Sequence, residues 1–76
     1  MKPTLDLIQL AGLGTNLVID AGTKPTLDLI QIAGILKNKG AHLTLTNASK
    51  KPTLDLIQIS GVCSGNLTLD FTDYKQ

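Results

Sequence analysis

The sequence has few aromatic residues, and its basic residues are of a single kind. Phe71 and Tyr74 are its two aromatic residues, so the core has to be aliphatic and built from Leu and Ile. The chain has seven lysines and no arginine. It therefore lacks the bidentate guanidinium group that recognises phosphate and guanine. A net charge of +1 gives no field to attract nucleic acid or an anionic membrane, so we expect neither as a partner.

The sequence also has one cysteine and no long hydrophobic run. Cys63 alone cannot form an internal disulfide, which argues against a secreted scaffold held by disulfides. The first residues do not resemble a signal peptide, because Met1 is followed directly by a segment that recurs later in the chain. The most apolar stretch, residues 27–36, is interrupted by Asp28 and Gln31 and is too short to span a bilayer. We therefore expect a cytoplasmic protein.

The strongest signal is an internal repeat. The octapeptide Lys-Pro-Thr-Leu-Asp-Leu-Ile-Gln occurs three times, at residues 2–9, 24–31 and 51–58, so its copies start 22 and 27 residues apart. Each copy continues into an apolar tail and then a short run of alternating apolar and polar residues. This pattern predicts a single domain, residues 1–76, made of three units at 2–23, 24–50 and 51–76.

Each octapeptide is predicted to begin a helix. Proline suits the first helical position because its φ is already helical and it loses no needed N–H, and the threonine after it is the alternative N-cap. The aspartate two residues further on lies in the first turn, where the helix dipole favours negative charge. In the second unit one broad helical face is apolar and comprises Leu29, Ile30, Ile32, Ala33 and Leu36. The glycines placed to end the three helices are Gly14, Gly40 and Gly65.

After each of these glycines the chain alternates strictly, which predicts a half-buried strand. The residues predicted to face the core are Leu17, Ile19, Leu43, Leu45, Leu67 and Leu69. Strands separated by a helix should run parallel and be joined by right-handed crossovers. The predicted fold is therefore α/β, a short solenoid-like layer with a three-stranded parallel sheet in order 1-2-3 and its helices on one face.

The alternation of Leu-x-Leu strands with helices resembles leucine-rich repeats and other α/β solenoids, and the resemblance covers the whole chain. Leucine-rich repeats carry an inward-turning Asn or Cys at a fixed offset after the strand. The residues aligned with that position here are Ala21, Asn47 and Phe71, and Asn47 alone fits. The resemblance implies a solenoid-like architecture, and we do not assign the chain to that family.

The outer face of the predicted sheet is the main candidate for a binding surface. Parallel sheets are usually covered on both faces, whereas here helices cover one. The outward residues form the candidate interface and are Val18, Asp20, Thr44, Thr46, Thr68 and Asp70. The alternative is ordinary solvent-facing alternation. Asp20 and Asp70, about 9–10 Å apart across two strand spacings, could in principle act as an acid/base pair, but no nucleophile clearly joins them.

No residue pattern predicts catalysis, a metal or a cofactor. The repeated aspartates lie on neighbouring helices about 8–10 Å apart, too far for one coordination shell. His42 has no metal-ligating partner at suitable spacing, and Cys63 is expected to be a buried, idle thiol. Gly12-Leu13-Gly14 ends a helix, whereas a dinucleotide loop opens one. Gly12, Gly34 and Gly61 share one repeat position, which we interpret as a site of close helix packing.

The preferred functional hypothesis is a non-enzymatic scaffold that self-associates, as a homodimer or higher homo-oligomer, or binds a protein partner. Its basis is the small core, the uncovered sheet face and the two exposed sheet edges. Phe71 and Tyr74 are candidates to cap the C-terminal end. Two alternatives remain open at this point. The chain could be a recently duplicated or designed repeat with no specific activity, or a small ligand-binding domain.

Overall fold

The computed structural model describes residues 2–73, and these form alternating helices and strands. The order of elements is α1 (Thr4–Gly12), β1 (Leu17–Asp20), α2 (Thr26–Asn38), β2 (Leu43–Thr46), α3 (Thr53–Val62) and β3 (Leu67–Leu69). A single turn of 3-10 helix follows each of the first two strands, at Ala21–Thr23 and Ala48–Lys50.

The three strands form one parallel sheet in the order β1-β2-β3, with the helices on one side of it, so the predicted fold is confirmed. The register joins equivalent repeat positions. Leu17 lies beside Leu43, and Leu43 lies beside Leu67. The strands are thus aligned residue for residue, although the octapeptides that precede them start 22 and 27 residues apart.

The core lies between the sheet and the helices and is aliphatic. The second unit supplies the most completely buried side chains, because it has a neighbour on either side. Its fully buried residues are Leu29, Ile32, Ala33, Leu36, Leu43, Leu45 and Ala48. Ile30 of the predicted apolar face is half-buried and packs against this cluster. Among residues 2–73 no aromatic side chain contributes to the core, as the composition predicts.

The predicted position of proline in the helices is wrong by one residue. Pro3 has φ −61° and ψ 155°, which is an extended backbone, and its carbonyl accepts the first helical hydrogen bond from the Leu7 N–H at 3.2 Å. Proline is thus the N-cap residue in each unit, and threonine is the first helical residue. The error arises because a φ near −60° suits both a helix and an extended segment, so ψ decides and the proline ring does not fix it.

The sequence predicted one set of glycines to end helices and another set to allow close helix packing. Gly14 and Gly40 directly follow the C-cap residues of α1 and α2 with positive φ values of 80° and 70°, which confirms them as the residues that end these helices. Gly65 also has a positive φ of 81°, but it lies one residue further on, because Cys63 is the C-cap of α3 and Ser64 follows it. The packing interpretation of the other set is wrong. A Cβ added at Gly12 or Gly61 would meet no atom within 4 Å, and one at Gly34 would make only an ordinary contact with Val62 at 3.5 Å.

Of the two aromatic residues proposed to cap the C-terminal end, the structure describes Phe71. Phe71 follows β3 and is exposed. Tyr74 lies outside the described residues. Asn47, the one residue that fits the leucine-rich pattern, has a left-handed backbone with φ 52° and is half-buried.

Candidate interaction surfaces

The first candidate surface is the outer face of the sheet. Val18, Thr44 and Thr68 form one row across the three strands, because the register places each beside the next. Val18 is 72% exposed, Thr68 is exposed and Thr44 is half-buried. The row is therefore a mixed apolar and hydroxyl surface that is accessible to a partner.

His42 belongs to this face, although the sequence interpretation did not include it. Its Nε2 lies 2.7 Å from the Oγ1 of Thr68, within hydrogen-bonding distance. The backbone N–H of His42 donates to the side-chain oxygen of Asn16 at 2.8 Å. The signal was present, because His42 lies two residues before Thr44 and the side chains of a strand alternate with a period of two.

The second row of this face contains two carboxylates, and each accepts a hydrogen bond from the backbone two residues further along the chain. Asp20 pairs with Thr46 in the register, and its carboxylate accepts a hydrogen bond of 2.9 Å from the Gly22 N–H. Asp70 follows the last residue of β3, and its carboxylate accepts from the Thr72 N–H at 2.8 Å. Hydrogen bonds from the Thr72 hydroxyl and N–H lower the pKa of Asp70. Each carboxylate thus stabilises its own turn, and no shared acid/base geometry connects them.

The helix starts carry a ladder of threonine–aspartate pairs that the sequence interpretation missed. The Thr4 hydroxyl donates to the carboxylate of Asp28 at 2.8 Å, and the Thr26 hydroxyl donates to that of Asp55 at 2.9 Å. Asp28 and Asp55 therefore bind the preceding unit, in addition to the favourable interaction with the helix dipole that the sequence predicts. Thr and Asp recur at the same two positions of every unit, which is the signal that could have revealed the ladder.

Two further ladders join the same units. The ammonium group of Lys24 donates to the backbone carbonyl of Lys2 at 2.8 Å, and Lys51 donates to the carbonyl of Lys24 at 2.7 Å. In the sheet, the Leu17 N–H donates to the His42 carbonyl at 3.0 Å. The equivalent bond of the next unit runs from the Leu43 N–H to the Asn66 carbonyl at 2.9 Å. Each unit is thus connected to the next by the same three kinds of hydrogen bond.

The helix layer exposes a row of leucines at its solvent side. Leu5, Leu27 and Leu54 occupy one repeat position and are 65%, 78% and 67% exposed. Leu27 is exposed although its unit has a neighbour on both sides, so contact between units does not cover this position. At about 100° per residue Leu27 lies opposite the buried face of α2, and helical periodicity could have identified it.

The two ends of the molecule differ from its middle. Ile30, which is followed by another unit, is half-buried, whereas the equivalent Ile57 is 60% exposed. In the opposite direction Ile32 is fully buried, whereas the equivalent Leu10 is half-buried. The position of Ile57 therefore faces a following unit, and the position of Leu10 faces a preceding one.

We define two surfaces from this comparison. The first-unit end carries Asp6, Leu10 and the outer edge of β1, and the third-unit end carries Thr53, Ile57 and the outer edge of β3. Within residues 2–73 no strand pairs with either outer edge. Two open clefts lie on the first unit. One, of about 350 Å³, is lined in part by Leu7 and Ile19, and the other, of about 370 Å³, by Asp6 and Leu10.

Residues that could support other chemistry are isolated in the described part of the chain. Cys63 is buried, and burial raises the pKa of its thiol while the charge of Lys37 lowers it to a smaller extent. This thiol is therefore a poor nucleophile. No group of three or more His, Cys, Asp or Glu side chains among residues 2–73 is placed to hold a metal ion.

The longest described helix, α2, has 13 residues, and none of the helices in residues 2–73 has the length and apolar character to cross a membrane.

Comparison with known proteins gives no further functional information. No protein-family model matches the chain, and neither the curated proteins nor the solved structures contain a significant match.

Proposed function

We propose that the protein is a non-enzymatic repeat scaffold that self-associates. The observation that supports this proposal is the difference between the middle unit and the two ends. Equivalent side chains are more exposed at the ends: Ile57 is 60% exposed where Ile30 is half-buried, and Leu10 is half-buried where Ile32 is fully buried. A second copy is the partner whose surface already has the matching shape, because it contains the same units.

The energetic case rests on apolar area and strand edges. Ile57 is 60% exposed, and burying this remaining area contributes roughly 1–2 kcal/mol. The outer edges of β1 and β3 add unpaired backbone groups that favour pairing with another strand. A domain of this size is marginally stable alone, so association at these ends contributes a large fraction of its stability.

A second candidate function is recognition of a different protein, and the exposed leucine row favours it. Leu5, Leu27 and Leu54 form an apolar stripe that contact between units leaves open. The outer sheet face, with Val18 and Thr68, is the other surface open to such a partner. Either surface can act together with self-association, because neither lies at an end of the molecule.

The test is thermal unfolding over an about hundredfold range of protein concentration. A self-associating chain unfolds at a higher temperature when it is more concentrated, because association stabilises only the folded state. Each 1 kcal/mol that association adds raises the midpoint by roughly 4–8 °C for a domain of this size. An unchanged midpoint over the whole range contradicts the proposal and favours a monomeric module or a repeat without specific activity.

A matched pair of variants assigns the effect to the ends. Ile57→Ser removes an exposed side chain at the third-unit end, and Leu27→Ser removes a comparably exposed one from the leucine row. The concentration dependence is expected to disappear in Ile57→Ser and to persist in Leu27→Ser. The reverse result assigns self-association to the leucine row.

A further inference from the structure

We propose that copies associate head to tail, so that the third-unit end of one chain docks on the first-unit end of the next and the sheet and helix layer continue. This inference rests on the proposed self-association and specifies its geometry. The partner is a second copy, because the two ends carry the complementary halves of contacts that already join the units of one chain.

The threonine–aspartate ladder supplies the first complementary pair. It runs from Thr4 to Asp28 and from Thr26 to Asp55, always from one unit to the following one. The next donor in the series is Thr53, which is exposed at the third-unit end. The acceptor with no preceding unit is Asp6, at the first-unit end. A following copy places its Asp6 where Thr53 can donate to it.

The other two ladders also leave matching halves: the sheet bonds run from each unit to the following one, and the lysine bonds run from each unit to the preceding one. In the lysine ladder the remaining donor is the Lys2 ammonium group at the first unit, and the remaining acceptor is the Lys51 carbonyl at the third. In the sheet the remaining donor is the Leu67 N–H of β3, and the remaining acceptor is the Asn16 carbonyl before β1. Head-to-tail docking joins all three pairs at once.

The apolar groups of the two ends are placed to meet in the same arrangement. Thr53 and Ile57 are four residues apart and share one face of α3, and Asp6 and Leu10 share one face of α1. Within the chain the Thr26–Asp55 bond brings the Ile30 side of α2 against the Ile59 side of α3. The cleft of about 370 Å³ beside Asp6 and Leu10 is where Ile57 of the preceding copy fits.

A two-fold symmetric dimer lacks these pairings. Docking two first-unit ends brings two Asp6 carboxylates together, and docking two third-unit ends gives each Thr53 hydroxyl another hydroxyl with no carboxylate. Head-to-tail association is heterologous, so it continues into longer assemblies unless the rotation per copy closes a ring. Growth beyond the dimer is therefore a direct consequence of the proposal.

The experiment changes each half of the threonine–aspartate pair in a separate variant. Thr53→Asp faces the Asp6 carboxylate of the next copy with a like charge, and Asp6→Lys removes the acceptor. Each variant alone is expected to fall to the mass of one chain, 8.0 kDa, at a concentration where the wild type exceeds twice that mass. An equimolar mixture restores assembly, because the new carboxylate meets the new ammonium group while the other junction remains as in the wild type.

The charge control is Gln31→Asp, an exposed position in the middle unit, and it is expected to assemble like the wild type. Circular dichroism checks that each variant is folded. If the wild type assembles and the folded variants also assemble alone, or if their mixture stays monomeric, head-to-tail docking is wrong while self-association stands. A monomeric wild type overturns self-association itself.

A crosslinking measurement keeps the inference testable if a charge variant fails to fold. Val18 lies beside Thr44, and Thr44 lies beside Thr68, so head-to-tail docking places Thr68 beside Val18 of the next copy. Neighbouring strands lie about 4.8 Å apart, which is within reach of a disulfide. A mixture of Val18→Cys and Thr68→Cys proteins is expected to form a crosslinked heterodimer on oxidation. Crosslinking of either protein with itself, and none in the mixture, overturns the inference.

Discussion

The hydroxyl of Thr26 donates a hydrogen bond of 2.9 Å to the carboxylate of Asp55, and the two residues come from identical octapeptides. Every unit therefore carries both a donor for the next unit and an acceptor for the previous one. This double role gives a physical reason for the recurrence of Thr and Asp in every octapeptide, because a change at either residue alters a contact on one side of the unit.

The internal aspartate is expected to matter more for the stability of the single chain than the one at the end. Asp28→Ala leaves the Thr4 hydroxyl without its acceptor, whereas Asp6→Ala removes no such bond within the chain. Both variants lose the same favourable charge in a first helical turn, so the comparison cancels that effect. We expect Asp28→Ala to lower the free energy of unfolding by about 1–2 kcal/mol more than Asp6→Ala.

Urea unfolding, at a concentration where light scattering finds single chains, measures this difference. Equal losses in the two variants would show that the Thr4–Asp28 bond contributes nothing to stability.

The two sides of α2 are expected to respond very differently to truncation. Leu29 is fully buried and Leu27 is 78% exposed, and both belong to the second octapeptide. Leu29→Ala should destabilise the fold by roughly 2–5 kcal/mol because it removes packed methyl groups and leaves a cavity. Leu27→Ala should change stability by less than about 0.5 kcal/mol. Denaturant unfolding of the two variants measures both values. Comparable losses of stability would show that α2 does not turn its Leu29 side towards the core and its Leu27 side towards solvent.

The fold was predictable because two periodicities agree with the repeat. Apolar residues such as Leu29, Ile32 and Leu36 recur at helical spacing, and Leu43 and Leu45 alternate at strand spacing. Three copies of one α-β unit then leave few topologies, and parallel order β1-β2-β3 is the simplest. The helix pattern and the strand pattern are each short, but both occur three times in the same order, which makes the assignment of each element more secure.

The contacts between units were not predictable to the same degree. The hydrogen bond from Thr4 to Asp28 depends on how far one helix is displaced along its neighbour, and periodicity does not report that displacement. The start of each helix was misplaced because the φ of Pro3 fits two conformations. The candidate interface of the outer sheet face was aligned as expected at Val18 and Thr44, but His42 was missed.

Two glycines with equal room for a side chain are expected to give opposite effects. A Cβ at Gly61 or at Gly40 would meet no atom within 4 Å, but Gly40 has a φ of 70° and Gly61 lies within α3. Gly61→Ala should raise the free energy of unfolding by roughly 0.5–1 kcal/mol, because alanine is the better helix former. Gly40→Ala should lower it by about 1 kcal/mol, because left-handed backbone strains a side chain. Destabilisation by Gly61→Ala would mean that the position is packed after all.

The stability of the chain is expected to fall in mildly alkaline solution because of Cys63. Burial raises the pKa of this thiol in the folded state, whereas in the unfolded chain it ionises near about 8.5. As the pH rises past that value, the unfolded chain releases a proton that the folded chain retains, so the free energy of unfolding decreases. Urea unfolding between about pH 7.5 and 9.5 measures the decrease. The Cys63→Ala variant should show a shallower decrease, and an equal slope in both proteins would exclude the thiol as its cause.

Self-association through the two ends is tested by molar mass from light scattering after size exclusion. The sample is the full chain, loaded over a wide range of concentrations. We expect a mass that rises with concentration above 8.0 kDa and continues beyond twice that value, as head-to-tail growth requires. A mass that stays at 8.0 kDa up to the highest concentration would contradict the claim.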